Sequence, residues 1–175
     1  MSKVSRAMSR ILRHEPELAG LKLRSGGWVP VRELLSGMRK AGHKVTIDDI
    51  MEAVETNDKR RFTLSENGGM IRAAQGHSVD VDLMLTPSEP PDTLYHGTAS
   101  SSLDEIFRSG ISRMSRHMVH LSLDRETAER VGGRHGKPTV LSVNAKGMRD
   151  AGHEFFVSDN GVWLTGHVDP EFISF

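Results

Sequence analysis

The sequence predicts an α+β fold in two lobes. Apolar residues at helical spacing dominate the first 55 positions, short alternating runs dominate from position 94, and a proline cluster separates the two regions. In the first region Val4, Met8, Ile11 and Leu12 repeat on one helical face, and Pro16 stops the segment. Val31, Leu34, Leu35 and Met38 form a second stripe, opened by Pro30 at the first helical position and closed near Gly42. Ile47, Ile50, Met51 and Val54 form a third, capped by the Thr46 hydroxyl, with Asp48 and Asp49 favourably placed against the helix dipole. Arg61 to Ser65 and Met70 to Ala73 then read as strands joined by Glu66-Asn67-Gly68-Gly69, where Asn and Gly tolerate the positive φ of a tight hairpin. Three helices and a hairpin predict a winged-helix-like lobe over residues 1–75.

Residues 76–92 read as a linker, because Pro87, Pro90 and Pro91 fall within five positions and exclude both helix interior and central strand. Over 93–175 the sequence predicts strands at Leu94 to His96, Val119 to Leu123, Thr139 to Val143, Glu154 to Val157 and Val162 to Thr165. Helices are expected at Ser102 to Arg108 and Asp124 to Val131, which makes this lobe α+β as well. There is no glycine-rich dinucleotide fingerprint and no phosphate-loop lysine motif, so any dinucleotide site is not of the Rossmann type. No apolar run approaches membrane-spanning length and Met1 is not followed by an apolar leader, so a cytoplasmic chain without a membrane partner is expected. The absence of cysteine excludes disulfides, a thiolate nucleophile and Cys-based zinc, leaving His, Arg, Ser and carboxylates for any chemistry.

The formal net charge is zero, but it is unevenly spread. Residues 1–75 hold 14 Lys and Arg against 9 Asp and Glu, while 76–175 hold 9 against 14. The first 44 residues alone hold 10 basic against 3 acidic residues, an asymmetry that favours a phosphate-rich ligand.

Arg6, Arg10 and Arg13 lie at i, i+4 and i+7 of the first helix, opposite its apolar stripe, so their guanidinium groups can project together. The same spacing describes a solvated basic face. Leu12-Arg13-His14 ends the helix with a bidentate cation beside a residue able to donate to or accept from phosphate. Asn57-Asp58-Lys59-Arg60-Arg61-Phe62 brings three successive cations to a turn, and strand alternation sends Phe62 into the core and Arg61 out of it. A turn that only keeps the lobe soluble would read the same way. Leu94-Tyr95-His96-Gly97-Thr98 is a strand in which glycine permits close backbone approach to a ligand. In Arg116-His117-Met118-Val119-His120-Leu121-Ser122, alternation puts His120 and Ser122 on one face and Val119 and Leu121 on the other. His117 and His120 then point to opposite faces, and no metal site is expected.

These segments, in this order, resemble the KptA-type RNA 2′-phosphotransferase family over nearly the whole chain. The motifs that carry the resemblance are Leu12-Arg13-His14, Asn57 to Phe62, Tyr95-His96-Gly97-Thr98, Arg116 to Ser122 and Asn160-Gly161-Val162-Trp163-Leu164-Thr165. The resemblance implies a C-terminal ADP-ribosyltransferase-like lobe with mainly antiparallel strands and a catalytic group of Arg13, His14, Arg61 and Arg116. It implies an NAD site at His96, Gly97, Thr98, His120, Leu121 and Ser122, with NAD consumed as co-substrate and no metal required. The implied substrate is tRNA-like RNA with an internal 2′-phosphate. That phosphate attacks the nicotinamide-bearing ribose carbon, and the ribose 2″-hydroxyl then attacks phosphorus. The products are 2′-hydroxyl RNA, ADP-ribose 1″,2″-cyclic phosphate and nicotinamide. Many relatives with the ADP-ribosyltransferase fold carry a glutamate in the strand that here reads Val162-Trp163-Leu164. An apolar residue there, Val162, suits a phosphate dianion that a carboxylate would repel.

Arginine forks hold a phosphate with little reorganisation, and losing one such ligand should cost on the order of 2–4 kcal/mol of transition-state stabilisation. His14 either donates to phosphate or assists proton transfer in the second step. Two alternatives stand beside this reading. One is an ADP-ribosyltransferase that stops at a modified nucleic-acid or protein acceptor, and the other is a non-catalytic winged-helix regulator. Against the latter, Arg116 in the second lobe supplies the same kind of group as Arg13 and Arg61, which predicts one site across the cleft between lobes. The expected assembly is a monomer.

Overall fold

The computed structural model describes residues 2–56, 59–79 and 81–175. The chain is a mixed α/β protein with small antiparallel sheets, and it divides into two compact units, Met1–Met84 and Leu85–Phe175.

The first unit opens with α1 (Lys3–Arg13), capped by the Ser2 side chain, which accepts from the Ser5 N–H. Pro16 does not simply end the chain's helical course; it starts a short 3-10 turn, Pro16–Ala19. Strand β1 (Val29–Pro30) runs directly into α2 (Val31–Lys40), so Pro30 is the capping residue rather than the first helical one. Helix α3 (Ile47–Glu55) carries a full capping box: Thr46 Oγ1 accepts from the Asp49 N–H and the Asp49 carboxylate accepts from the Thr46 N–H. The hairpin forms from β2 (Phe62–Leu64) and β3 (Met70–Ala73) in the register Phe62↔Ala73, Thr63↔Arg72, Leu64↔Ile71. β1 adds to the far edge of β3 through Val29↔Ile71, giving the order β1-β3-β2.

Met8, Ile11 and Leu12 from α1, Leu34 and Met38 from α2, Ile50 from α3, and Phe62 and Ile71 from the sheet form one buried core. Each large side chain removed from water contributes about 1.5–3 kcal/mol. Gly37 is needed inside this core, because a Cβ there would lie 2.1 Å from the Ala19 carbonyl oxygen. Arg72 is buried and structural: its guanidinium donates to the carbonyls of Gly26 (3.1 Å) and Leu83 (3.0 Å) and lies 4.6 Å from the Trp28 ring centroid.

In the second unit the proline-rich stretch is tied down: Ser88 N–H donates to the Phe155 carbonyl, and Glu89 pairs with Arg149. β4 (Thr93–Ala99), β6 (Pro138–Asn144) and β9 (Ile173–Ser174) form one sheet in the order β4-β6-β9. β5 (Val119–Leu121), β7 (Phe155–Val157) and β8 (Trp163–Thr165) form another, in the order β5-β8-β7. A bridge between Tyr95 and Ser122 joins the two. Helices α4 (Leu103–Ser109), α5 (Arg125–Gly132) and α6 (Ala145–Asp150) complete the unit around a separate core that includes Leu94, Val119, Leu121, Leu141, Met148 and Phe155. Among the described residues no helix is long and apolar enough to cross a membrane.

Candidate functional site

Within the first unit, Arg13, His14 and Arg61 flank one chain segment. The N–H groups of Ser78 and Val79 donate to the Arg13 carbonyl at 2.9 and 3.4 Å, and His14 Nδ1 lies 2.7 Å from Ser78 Oγ. The N–H of Ala74 donates to the Arg61 carbonyl at 2.8 Å. Four residues of chain reach about 14 Å at most, so this segment holds the C-terminus of α1 and the start of β2 as neighbours. Arg13 and Arg61 are half-buried and Phe62 is buried, as strand alternation requires. Arg60 adopts a φ of 44° and is exposed, which separates its direction from that of Arg61. Asn57 and Asp58 of the same motif lie outside the described residues.

The cationic ridge expected along α1 is divided. Arg10 Nε donates to Glu15, and this bond holds the Glu15 carboxyl below its usual range. Arg10 is therefore neutralised locally, while Arg13 stands at the helix end beside His14. Sequence reasoning also passed over Gln75, whose side-chain oxygen is buried with no hydrogen-bond partner among the described residues.

Within the second unit, the Tyr95–Ser122 bridge brings the His96-Gly97-Thr98 strand beside the His120-Leu121-Ser122 strand. His96 Nδ1 lies 3.4 Å from the His120 carbonyl oxygen. Burial pushes the His96 pKa down, opposed by this backbone hydrogen bond, so the ring is neutral at pH 7 and its Nδ1–H donates. His120 and Ser122 are half-buried, whereas Val119 and Leu121 are 2% and 1% exposed in the core. Leu121 thus offers a ligand only main-chain atoms. His120 is oriented by its Nδ1, 2.9 Å from the Met118 carbonyl oxygen.

One expectation needs correction. The close approach that Gly97 permits is to α5: a Cβ there would fall 1.5 Å from the Ala128 carbonyl oxygen. The glycine seats a helix on β4 instead of a ligand on that face. Tyr95 exchanges both main-chain hydrogen bonds with Ser122, and alternation turns the N–H and C=O of Gly97 to the same edge of the strand.

Arg116 lies in a closed turn, its N–H donating to the Arg113 carbonyl (3.0 Å) while Arg113 Nη1 donates to the Arg116 carbonyl (2.8 Å). It reaches solvent, yet surrounding protein atoms, and second the nearby charge of Arg134, hold its pKa below the usual arginine value. Among the described residues no group of three or more His, Cys, Asp or Glu is placed to hold a metal ion.

Residues 1–167 match the family described as RNA 2′-phosphotransferase, Tpt1 / KptA. The chain belongs to that family. It is 49% identical over 171 residues to a probable RNA 2′-phosphotransferase of Nostoc punctiforme, an alignment covering 98% of this chain and 94% of the relative. Another probable RNA 2′-phosphotransferase, from Trichormus variabilis, is 51% identical over 171 residues with the same coverage of both chains. A third, from Burkholderia pseudomallei, is 47% identical over 174 residues, covering 99% of this chain and 95% of the relative. In this member of the RNA 2′-phosphotransferase family the guanidiniums of Arg13 and Arg61 therefore belong to the first unit, and that of Arg116 to the second.

Proposed function

We propose that the chain is an NAD-dependent RNA 2′-phosphotransferase that removes an internal 2′-phosphate from RNA. Family membership supports the phosphotransferase reading, and the observation that carries it to particular residues is the gathering of Arg13, His14 and Arg61 on the 74–79 segment. In this reading the first unit is a winged-helix-like RNA lobe and the second an ADP-ribosyltransferase-like lobe.

A phosphate with up to two negative charges needs fixed cations to hold it in line for transfer. In this reading the forks of Arg13, Arg61 and Arg116 supply them. His14 is oriented by Ser78 and presents a ring nitrogen to the same anion. NAD supplies an electrophilic ribose carbon and a leaving nicotinamide. The residues that would hold it fit an uncharged nucleoside: neutral His96, the Gly97 main chain on the Tyr95 edge, and the half-buried His120 and Ser122. In this reading Val162, directly before β8, takes the position at which a carboxylate would repel the incoming phosphate.

The test is incubation of the protein with an internally 2′-phosphorylated oligonucleotide, with and without NAD and with a chelator. The expected products are 2′-hydroxyl RNA, nicotinamide and ADP-ribose 1″,2″-cyclic phosphate, formed only with NAD and regardless of chelator. A stable ADP-ribosylated acceptor would instead assign an ADP-ribosyltransferase, and binding without turnover a regulator.

A further inference from the structure

Helix α2 presents a cationic face that the site described above does not use. Val31, Leu34, Gly37 and Met38 are buried beneath the helix, and the opposite side exposes Arg32, Ser36, Arg39 and Lys40 at i, i+4, i+7 and i+8. From Arg32 to Lys40 the helix rises about 12 Å. The stripe then continues onto the following loop. Arg39 Nε donates to the Val45 carbonyl at 2.8 Å, and the His43 N–H donates to the Met38 carbonyl at 3.0 Å, so this loop is fastened to the helix end with Lys44 exposed on it.

Between Arg32 and Lys44 the sequence has one acidic residue, Glu33, and Arg24 already pairs with it at 3.0 Å. No carboxylate lies within ion-pair distance of Arg32, Arg39, Lys40 or Lys44 among the described residues. Arg39 and Lys40 suit the negative end of the helix dipole, and helix stability accounts for them. It does not account for Arg32, which stands at the second helical position, where a cation opposes the dipole. Helix α3 shows the reverse pattern, exposing Asp48, Glu52 and Glu55 at i, i+4 and i+7. The second of two successive helices is the one that helix-turn-helix proteins lay on nucleic acid, and here that face would repel a phosphate backbone. The apolar side of α2 is committed to the core of its own unit, which leaves no apolar face for a lipid surface.

We infer that the outer face of α2, with Arg32, Arg39 and Lys40, and Lys44 of the following loop, binds the phosphodiester backbone of the RNA that flanks the 2′-phosphate. This rests on the RNA reading proposed above and adds to it a surface that holds the body of the substrate instead of the reacting group.

The experiment measures binding, without NAD, of a 2′-phosphorylated trinucleotide and of a single-stranded 2′-phosphorylated RNA of about twenty nucleotides across a series of salt concentrations. Poly(glutamate) is a third ligand. Arg32→Gln with Lys40→Gln removes two of the charges and keeps good helix formers, whereas Arg32→Lys with Lys40→Arg keeps the charges. Lys146→Gln, at an exposed position of α6, is the control. The glutamine pair should lose tenfold or more for the long RNA at low salt, with a log–log salt slope shallower by about 1.4, and less than twofold for the trinucleotide. Its melting temperature should match the parent's. The charge-keeping pair and the control should bind as the parent does, because a backbone contact of this kind depends on charge more than on the geometry of a fork.

Long-RNA binding by the glutamine pair within twofold of the parent, with an unchanged slope, overturns the inference. Equal losses for both RNAs also overturn it, since the surface would then act on the reacting end. If the glutamine pair keeps the long RNA but loses poly(glutamate), the face serves an acidic protein instead. Release of 2′-phosphate from the trinucleotide with NAD tests the proposed function separately. A parent that binds long RNA through α2 yet releases none loses the enzymatic reading and keeps the surface.

Discussion

At the scale of single residues, what each arginine does depends on how its charge is compensated. Arg10, paired with Glu15, and Arg72, buried against Gly26, Leu83 and Trp28, are committed to the fold. Arg61 at the edge of β2 is assigned to phosphate, so Arg61→Ala should slow dephosphorylation by a factor corresponding to about 2–4 kcal/mol, with an unchanged unfolding midpoint. His96 makes a prediction about pH. Its pKa is depressed below the ordinary 6.5 by burial, so below about pH 6.5 the unfolded chain binds more protons than the native one. Stability contributed by keeping this ring neutral is present above that value and is lost as pH falls toward the depressed pKa. Urea midpoints at pH 8 and pH 5.5 should therefore differ less in His96→Asn than in the parent; an equal difference would remove His96 from the acid response. The individual anion-binding candidates were legible in the sequence as motifs, because Arg-His at a helix end and an arginine before a core Phe are local patterns. Gln75, buried with its side-chain oxygen unbonded among the described residues, was not, since the burial of one polar residue leaves no local pattern.

At the scale of elements, legibility followed length and periodicity. The three helices of the first unit and the hairpin repeat their apolar residues often enough to be read, and Thr46 announced its capping box. Thr46→Ala should cost about 1 kcal/mol of stability and leave turnover alone, as a chemical-denaturation curve beside an activity assay will show. β1 and β9 have two residues each, too few for alternation, and α6 has six, with the Asn144 side chain accepting from the Gly147 N–H as its only signal. What packs against Gly97 was not legible for a different reason: a glycine in a strand announces close approach but not what approaches. Because α5 fills that space, Gly97→Ala should displace the helix and cost about 3 kcal/mol or more, with a lowered urea midpoint. A midpoint unchanged from the parent would return the glycine to a purely ligand-facing role.

At the scale of the molecule, two units with separate cores carry opposite charge balances, and the proposed chemistry draws on both. RNA binding should weaken linearly on a log–log plot against salt, and Arg61→Ala should make the slope shallower by about 0.7, the contribution of one phosphate contact on a single strand. The proposal that most needs testing is that Arg61 and Arg116 both serve the transfer of the 2′-phosphate. A double-mutant cycle tests it most directly, comparing single-turnover rates of 2′-phosphate removal for the parent, Arg61→Ala, Arg116→Ala and the double variant. Each single change should slow the reaction strongly, and the double variant should lose much less than the product of the two factors, because both arginines serve the same transition state. Fully multiplicative losses, or near-normal turnover in either single variant, would contradict it.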